Sequence, residues 1–246
     1  MICPNCQLEQ GDDTAECAGC GVVFAKLRPG RPSRPPRAGP GSAAASKGVD
    51  HPWVALLFGE EGEVDPLALS GRLLLFLGVA AWSLPLIGRF GAAGRSFLHN
   101  INLPFHEAGH ILFMPLGRFL MFVGGSLTQV TIPLICAGVL LVKTRDRFGS
   151  ALCLWWAGEN LLDLAPYVAD ARALQLVLIG GHTGAEVEGH DWEAILKTLG
   201  LLRYDVTLGR AFHFVGTVVM AAALLWAGGL LWRQARRWAE KPRPAG

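Results

Sequence analysis

Hydrophobic positions cluster in the second part of the chain. The first 70 residues are polar and rich in proline and glycine, and most of the remaining chain is apolar runs with short breaks. Five runs have the length and apolarity of membrane helices: about 70–88, 98–117, 127–142, 149–169 and 211–232. Roughly 20 such residues cross about 30 Å of hydrocarbon. The last run is the clearest, because it holds no acid or lysine and ends in "RQARRW". Several others are short or contain proline and glycine, which a membrane tolerates only where neighbouring helices or a cavity satisfy the freed backbone groups. Within 117–128, "GRFLMFVGGSLT", the Gly-Gly pair predicts a hairpin dipping into the membrane. The pattern therefore predicts a mainly α, polytopic helical bundle of about four to six membrane segments.

Composition agrees. The chain is 51% hydrophobic and only 17% charged, against about 25% charged in an average soluble domain. The net charge of +2 is less informative than its distribution: six basic residues and no acid lie between Lys26 and Lys47. The start, "MICPNCQ", lacks the basic and apolar regions expected of a cleaved secretory signal.

The N-terminal cysteines add a second unit. Cys3 and Cys6 in "CPNC", and Cys17 and Cys20 in "CAGC", form two C-x-x-C pairs separated by ten residues. Each short turn points two thiolates at one ion, and two turns complete a tetrahedral shell. About 25 residues cannot build a hydrophobic core, so a metal would supply most of the folding free energy. The spacing predicts a structural zinc site, and with "C-G-x-x-F" ending at Phe24 the head resembles a double-knuckle zinc ribbon. Four thiolates leave no open position for catalysis. Cys136 and Cys153 stand alone in apolar runs and read as small hydrophobes.

The domain reading is a zinc ribbon at 1–27, a Pro/Arg-rich linker at 28–52, a membrane domain at 53–232 and a basic tail at 233–246. In the linker, "RPGRPSRPPRAGP" cannot pack a core and reads as a semi-extended tether. No aromatic residues interleave its arginines, so it reads as a cytoplasmic flank near anionic lipid and not as a nucleic-acid site. Reduced cysteines and the basic tether place the N-terminus in the cytoplasm, with the protein integral to an inner or plasma membrane. Five spans would put the basic tail outside, against the positive-inside rule. Four spans plus a re-entrant segment would keep both the tail and "KTRDR", 143–147, inside.

One apolar run carries chemistry. "LPFHEAGHILFMPLG", residues 103–117, contains His106, Glu107 and His110 as H-E-x-x-H. On a helix, residues four apart are neighbours, so both imidazoles reach one ion while Glu107 lies beside it to take a proton from bound water. Pro104 is compatible with a helix start there. Intramembrane ionisable groups are costly without partners, which argues against idle core histidines. A catalytic zinc wants a third protein ligand. Glu159, Asp163 and Asp170 share one helical face in "WWAGENLLDLAPYVADA", 155–171. Pro166 predicts a loosened helix beside Asp163, which makes Asp163 the expected ligand. Glu159, Asn160 and Asp170 are candidates to orient a ligand imidazole from behind. His182, His190 and Asp191 form an outside alternative in a Gly-rich loop. His51, His99 and His213 are isolated and read as surface or interface residues.

"HEAGH", the Gly-Gly segment after it and "NLLD" in a later segment together resemble the site-2 protease family of intramembrane zinc metallopeptidases, over roughly residues 98–170. The resemblance implies His106, His110 and Asp163 as catalytic-zinc ligands and Glu107 as general acid/base. Leu164 stands where the family has glycine. It further implies hydrolysis of membrane-protein substrates in or near the bilayer, with two zinc ions per chain, one catalytic and one structural. Two other function classes remain open: an inactive protease-like membrane adaptor, and a zinc-ribbon binding protein merely anchored by its spans.

Overall fold

The computed structural model describes residues 3, 8–9, 11, 14–24, 52–59 and 64–240. Two units emerge, Met1–Asp50 and His51–Gly246. In the first, Glu16 and Val23 form an isolated antiparallel bridge around the second cysteine turn. Within it, Cys17 N–H donates to the Val22 carbonyl at 2.9 Å and Gly21 N–H to the Cys17 carbonyl at 2.8 Å. Gly21 has φ +68°, a conformation that only glycine adopts freely. Cys6 and the Pro/Arg tether lie outside the described residues.

The second unit is built of helices: α1 (Pro52–Phe58), α2 (Pro66–Gly88), α3 (Phe97–Phe113), α4 (Arg118–Val139), α5 (Arg147–Ala169), α6 (Asp191–Thr198) and α7 (Asp205–Glu240). Three helical segments are long and apolar enough to cross a membrane: Pro66–Gly88, Arg118–Thr144 and Leu202–Glu240. α2 starts where Asp65 accepts the Leu67 N–H at 3.0 Å, with Pro66 in the first turn. Most of its leucines face outward, with Leu67 81% and Leu84 73% exposed. A helix this apolar with so little of it covered suits a lipid solvent.

α5 is the buried axis of the unit. Its Trp155 and Leu162 pack with Met220 and Ala223 of α7 and Leu86 of α2, and Trp155 Nε1 donates to Ser83 Oγ of α2 at 2.8 Å. Small residues let α5 and α7 approach closely. A Cβ on Gly158 would lie 2.9 Å from the Gly216 carbonyl oxygen, and one on Gly209 2.6 Å from that of Ala165. Such contacts are how helices associate where no hydrophobic effect drives them together.

Two expectations change. The hairpin expected at 117–128 and the short run at 127–142 are one continuous helix, α4, extended by a π turn to Thr144. Its Gly-Gly pair makes no turn and serves the crossing with α3: a Cβ on Gly124 would sit 2.7 Å from the Gly109 carbonyl oxygen. The break expected near Pro166 is also absent, since α5 runs through it to Ala169. Proline removes only one backbone bond there, and the helix is buried around it by Leu162, Ala165 and Val168. Asp163 therefore stays on a regular helix.

Candidate metal centre

His106 and His110 lie one turn apart on α3, with ring centroids 4.9 Å apart. α4 crosses this face at Gly125, where a Cβ would come within 2.6 Å of His106 Nε2 and 2.7 Å of His110 Nε2. Glycine leaves that space empty. Asp191, the first residue of α6, enters from the loop side and places Oδ2 3.1 Å from His106 Nε2 and 3.2 Å from His110 Nε2. The three ligand atoms lie within 4.8 Å of one another and could hold a metal ion.

The outer nitrogens determine what these atoms are. His110 Nδ1 lies 2.8 Å from the Met121 carbonyl, which can only accept, so Nδ1 carries the hydrogen. His106 Nδ1 lies 2.9 Å from Gln129 Oε1. Gln129 is held that way round because its amide nitrogen donates to Asp163 Oδ2 at 2.9 Å. Both Nε2 atoms therefore turn to the Asp191 carboxylate, as N–H donors when the imidazoles are protonated and as lone pairs when they are neutral. Neutral imidazoles would bring three lone pairs into one buried space, so either protons or a metal cation must lie among these atoms.

Asp191 is itself clamped. Tyr167 of α5 donates its hydroxyl to Asp191 Oδ2 at 3.1 Å and accepts the Asp191 N–H at 2.9 Å. Burial pushes the Asp191 carboxyl up, but its hydrogen bonds with His106 and His110 outweigh this and hold it below the ordinary range. The preceding residue, His190, caps α6 by accepting the Glu193 N–H on Nδ1 at 3.2 Å, and burial pushes its imidazole down toward the neutral form.

The sequence points first to Asp163 as the third ligand, with Asp191 in its outside alternative; the structure puts Asp191 opposite the histidines and Asp163 behind His106, through Gln129. Besides Gln129, Asp163 binds His99 Nδ1 at 2.8 Å and accepts from Asn102 at 3.2 Å. The three residues expected to orient a ligand imidazole hydrogen-bond neither His106 nor His110, and Asp170 instead lies 3.5 Å from His190 Nε2. Glu159 accepts from Asn102 at 3.0 Å, Asn160 donates to the Trp156 carbonyl, and Asp170 accepts the Gln175 and Leu176 N–H groups. Gln129 and the Met121 carbonyl do that work instead, while Tyr167 holds the Asp191 carboxylate. Tyr167 comes four residues after Asp163 on α5, a spacing that marks a shared face. His182 is exposed beside Glu186, away from the cluster.

Glu107 is exposed, and with His99, His106, His110, Asp163 and Asp191 it lines one cavity of about 670 Å³. The loop between α5 and α6 contributes Leu176–Ile179 and Val187–Gly189 to the same cavity. In the N-terminal unit, Cys3, Cys17 and Cys20 form a second group able to hold a metal, with Cys3 Sγ and Cys20 Sγ 3.7 Å apart. No protein-family model, curated protein or solved structure matches the chain, so both centres are read from their own residues.

Proposed function

We propose that the chain is a membrane-embedded zinc metallopeptidase of the site-2 protease type, hydrolysing peptide bonds of membrane proteins in or near the bilayer. The observation that carries this reading is the convergence of two Nε2 atoms and the Asp191 carboxylate beside a cavity that Glu107 also lines. Two imidazoles and one carboxylate are a donor set suited to catalytic zinc, with a further position left for water. His106, His110 and Asp191 would hold the ion. Bound there, zinc would lower the pKa of its water to about 7 and polarise a carbonyl.

The chain's own residues supply the rest. Glu107 takes a proton from the attacking water and returns it to the leaving amine. Gln129, held by Asp163, and the Met121 carbonyl keep both histidines in the Nδ1–H form. Tyr167 fixes the Asp191 carboxylate. In this reading α3 and α5 join the three long apolar helices within the membrane, and the N-terminal unit is a cytoplasmic zinc ribbon closed by Cys3, Cys6, Cys17 and Cys20. Membrane orientation is set by the basic tether.

Full-length protein in detergent should bind two zinc ions per chain and cut a membrane-spanning reporter. Glu107→Gln should retain both ions and cut nothing. Retained metal without cleavage by the wild type would instead support an adaptor. A single equivalent, lost on removing the cysteines, would leave only an anchored zinc ribbon.

A further inference from the structure

The cavity extends well beyond the metal ligands. His99 precedes His106 by seven residues on α3, about 10 Å along the helix axis, and it lines the same cavity. Arg95, in the turn before α3, lines it too. Gly91 and Gly94 leave this end bare. Gly91 has φ +80°, and a Cβ on Gly94 would only reach ordinary contact with Asp163 Oδ1, at 3.6 Å.

The two polar side chains here are uncommitted on the cavity side. Arg95 is exposed and makes no ion pair or hydrogen bond among the described residues, although Glu107, Asp163 and Glu188 line the same cavity. His99 is clamped by Asp163 through Nδ1 at 2.8 Å, while its Nε2 has no partner among the described residues. A carboxylate-clamped imidazole offers its other nitrogen as a second donor once protonated. Arg95 is thus the fixed cation at the His99 end of the cavity, where Asp163 is already engaged by His99, Asn102 and Gln129.

We propose that Arg95 and His99 form a carboxylate-binding subsite that selects substrates with an acidic group about three residues from the bond that is cut. The reach comes from the helix: about 10 Å corresponds to about three residues of extended chain. Arg95 provides the charge and the paired donors that match a carboxylate. His99, fixed by Asp163, provides the second wall. The carboxylate is an acidic side chain or a chain terminus, since both present the same group.

This proposal rests on the metallopeptidase reading, so its test uses binding as well as cleavage. Matched peptides would carry Asp or Asn three residues to either side of the cleaved bond, or end in a free or amidated terminus. Their dissociation constants would be measured on the Glu107→Gln protein, and kcat and KM on the wild type. The acidic member of one pair should bind about tenfold more tightly. Arg95→Gln should abolish that preference through KM with kcat nearly unchanged, and Arg95→Lys should keep part of it. His99→Asn should reduce it without loss of bound metal. Acid-selective binding with no cleavage would leave the subsite standing and defeat the enzymatic reading. Cleavage or binding indifferent to peptide charge, or no binding of either peptide, would overturn the subsite. So would a dependence on anionic lipid in place of peptide charge, which would assign Arg95 to a headgroup.

Discussion

Gly125→Ala is the sharpest test of the metal centre, because glycine there has no contact to preserve except with the two imidazoles. The new Cβ would stand 2.6 Å from His106 Nε2 and 2.7 Å from both His110 Nε2 and Cε1. Ordinary contact begins at 3.4 Å, so each ring must retreat by about 0.7 Å if it moves at all. Metal–ligand distances tolerate only about 0.2 Å. The rings are also tied from behind to Gln129 and Met121, so retreat breaks those bonds as well. Losing such outer partners alone costs about ten- to a hundredfold in metal affinity, and displaced donors should cost more than a hundredfold. Alanine should not harm α4 itself, since its intrinsic helix propensity exceeds that of glycine by about 1 kcal/mol. The assay is competitive zinc titration of detergent-purified protein, with apoprotein thermal stability as control. An unchanged zinc affinity in a folded Gly125→Ala protein would refute the convergence of the two Nε2 atoms on one ion.

Other substitutions separate the roles of the carboxylates and the packing. Asp191→Asn should lose metal more completely than Asp163→Asn, whose effect passes through Gln129 and should stay within about a hundredfold; bound zinc in the two purified proteins decides the order. Cys17→Ser should remove one metal equivalent per chain while leaving the His106–His110 ion in place, as counted by atomic absorption. Gly158→Ala puts a Cβ 2.8 Å from Met220 Cγ and 2.9 Å from the Gly216 carbonyl oxygen. It should destabilise the α5–α7 crossing by about 1–3 kcal/mol without altering zinc content below the transition, read by thermal unfolding in detergent.

Those contrasts also mark what the sequence could and could not reveal. Long apolar runs and H-E-x-x-H are local patterns, and α2, α3, α5 and α7 form where such patterns lie. Gly124–Gly125 misled because a Gly-Gly pair is equally fit for a turn and for two helices in close contact; only the partner helix decides. Pro166 misled because burial held α5 together across one missing bond. Asp191 is joined to the histidines across 85 residues and begins a short helix outside every apolar run. No periodicity links it to them. His99 carried a usable signal, since seven residues before His106 is two turns along the same face.

That the third donor sits on α6 has a consequence for how the molecule is assembled. α3 and α4 pack on each other through Gly109 and Gly124 and through the His106–Gln129 and His110–Met121 bonds, but the α5–α6 loop is fastened to them at its C-terminal end, by Asp191 and by the Trp192 Nε1 bond to Ser126 Oγ at 3.1 Å. An ion shared by His106, His110 and Asp191 would act as a clasp, closing the loop only after the helices around it are in place. Binding would stabilise the closed state by mass action, by about 2.7 kcal/mol at a hundredfold excess over the dissociation constant. Chelation should then open this segment first, exposing 171–200 to protease and to hydrogen exchange while the apolar helices stay protected. Metal supply, and not membrane insertion, would set when the chain becomes competent.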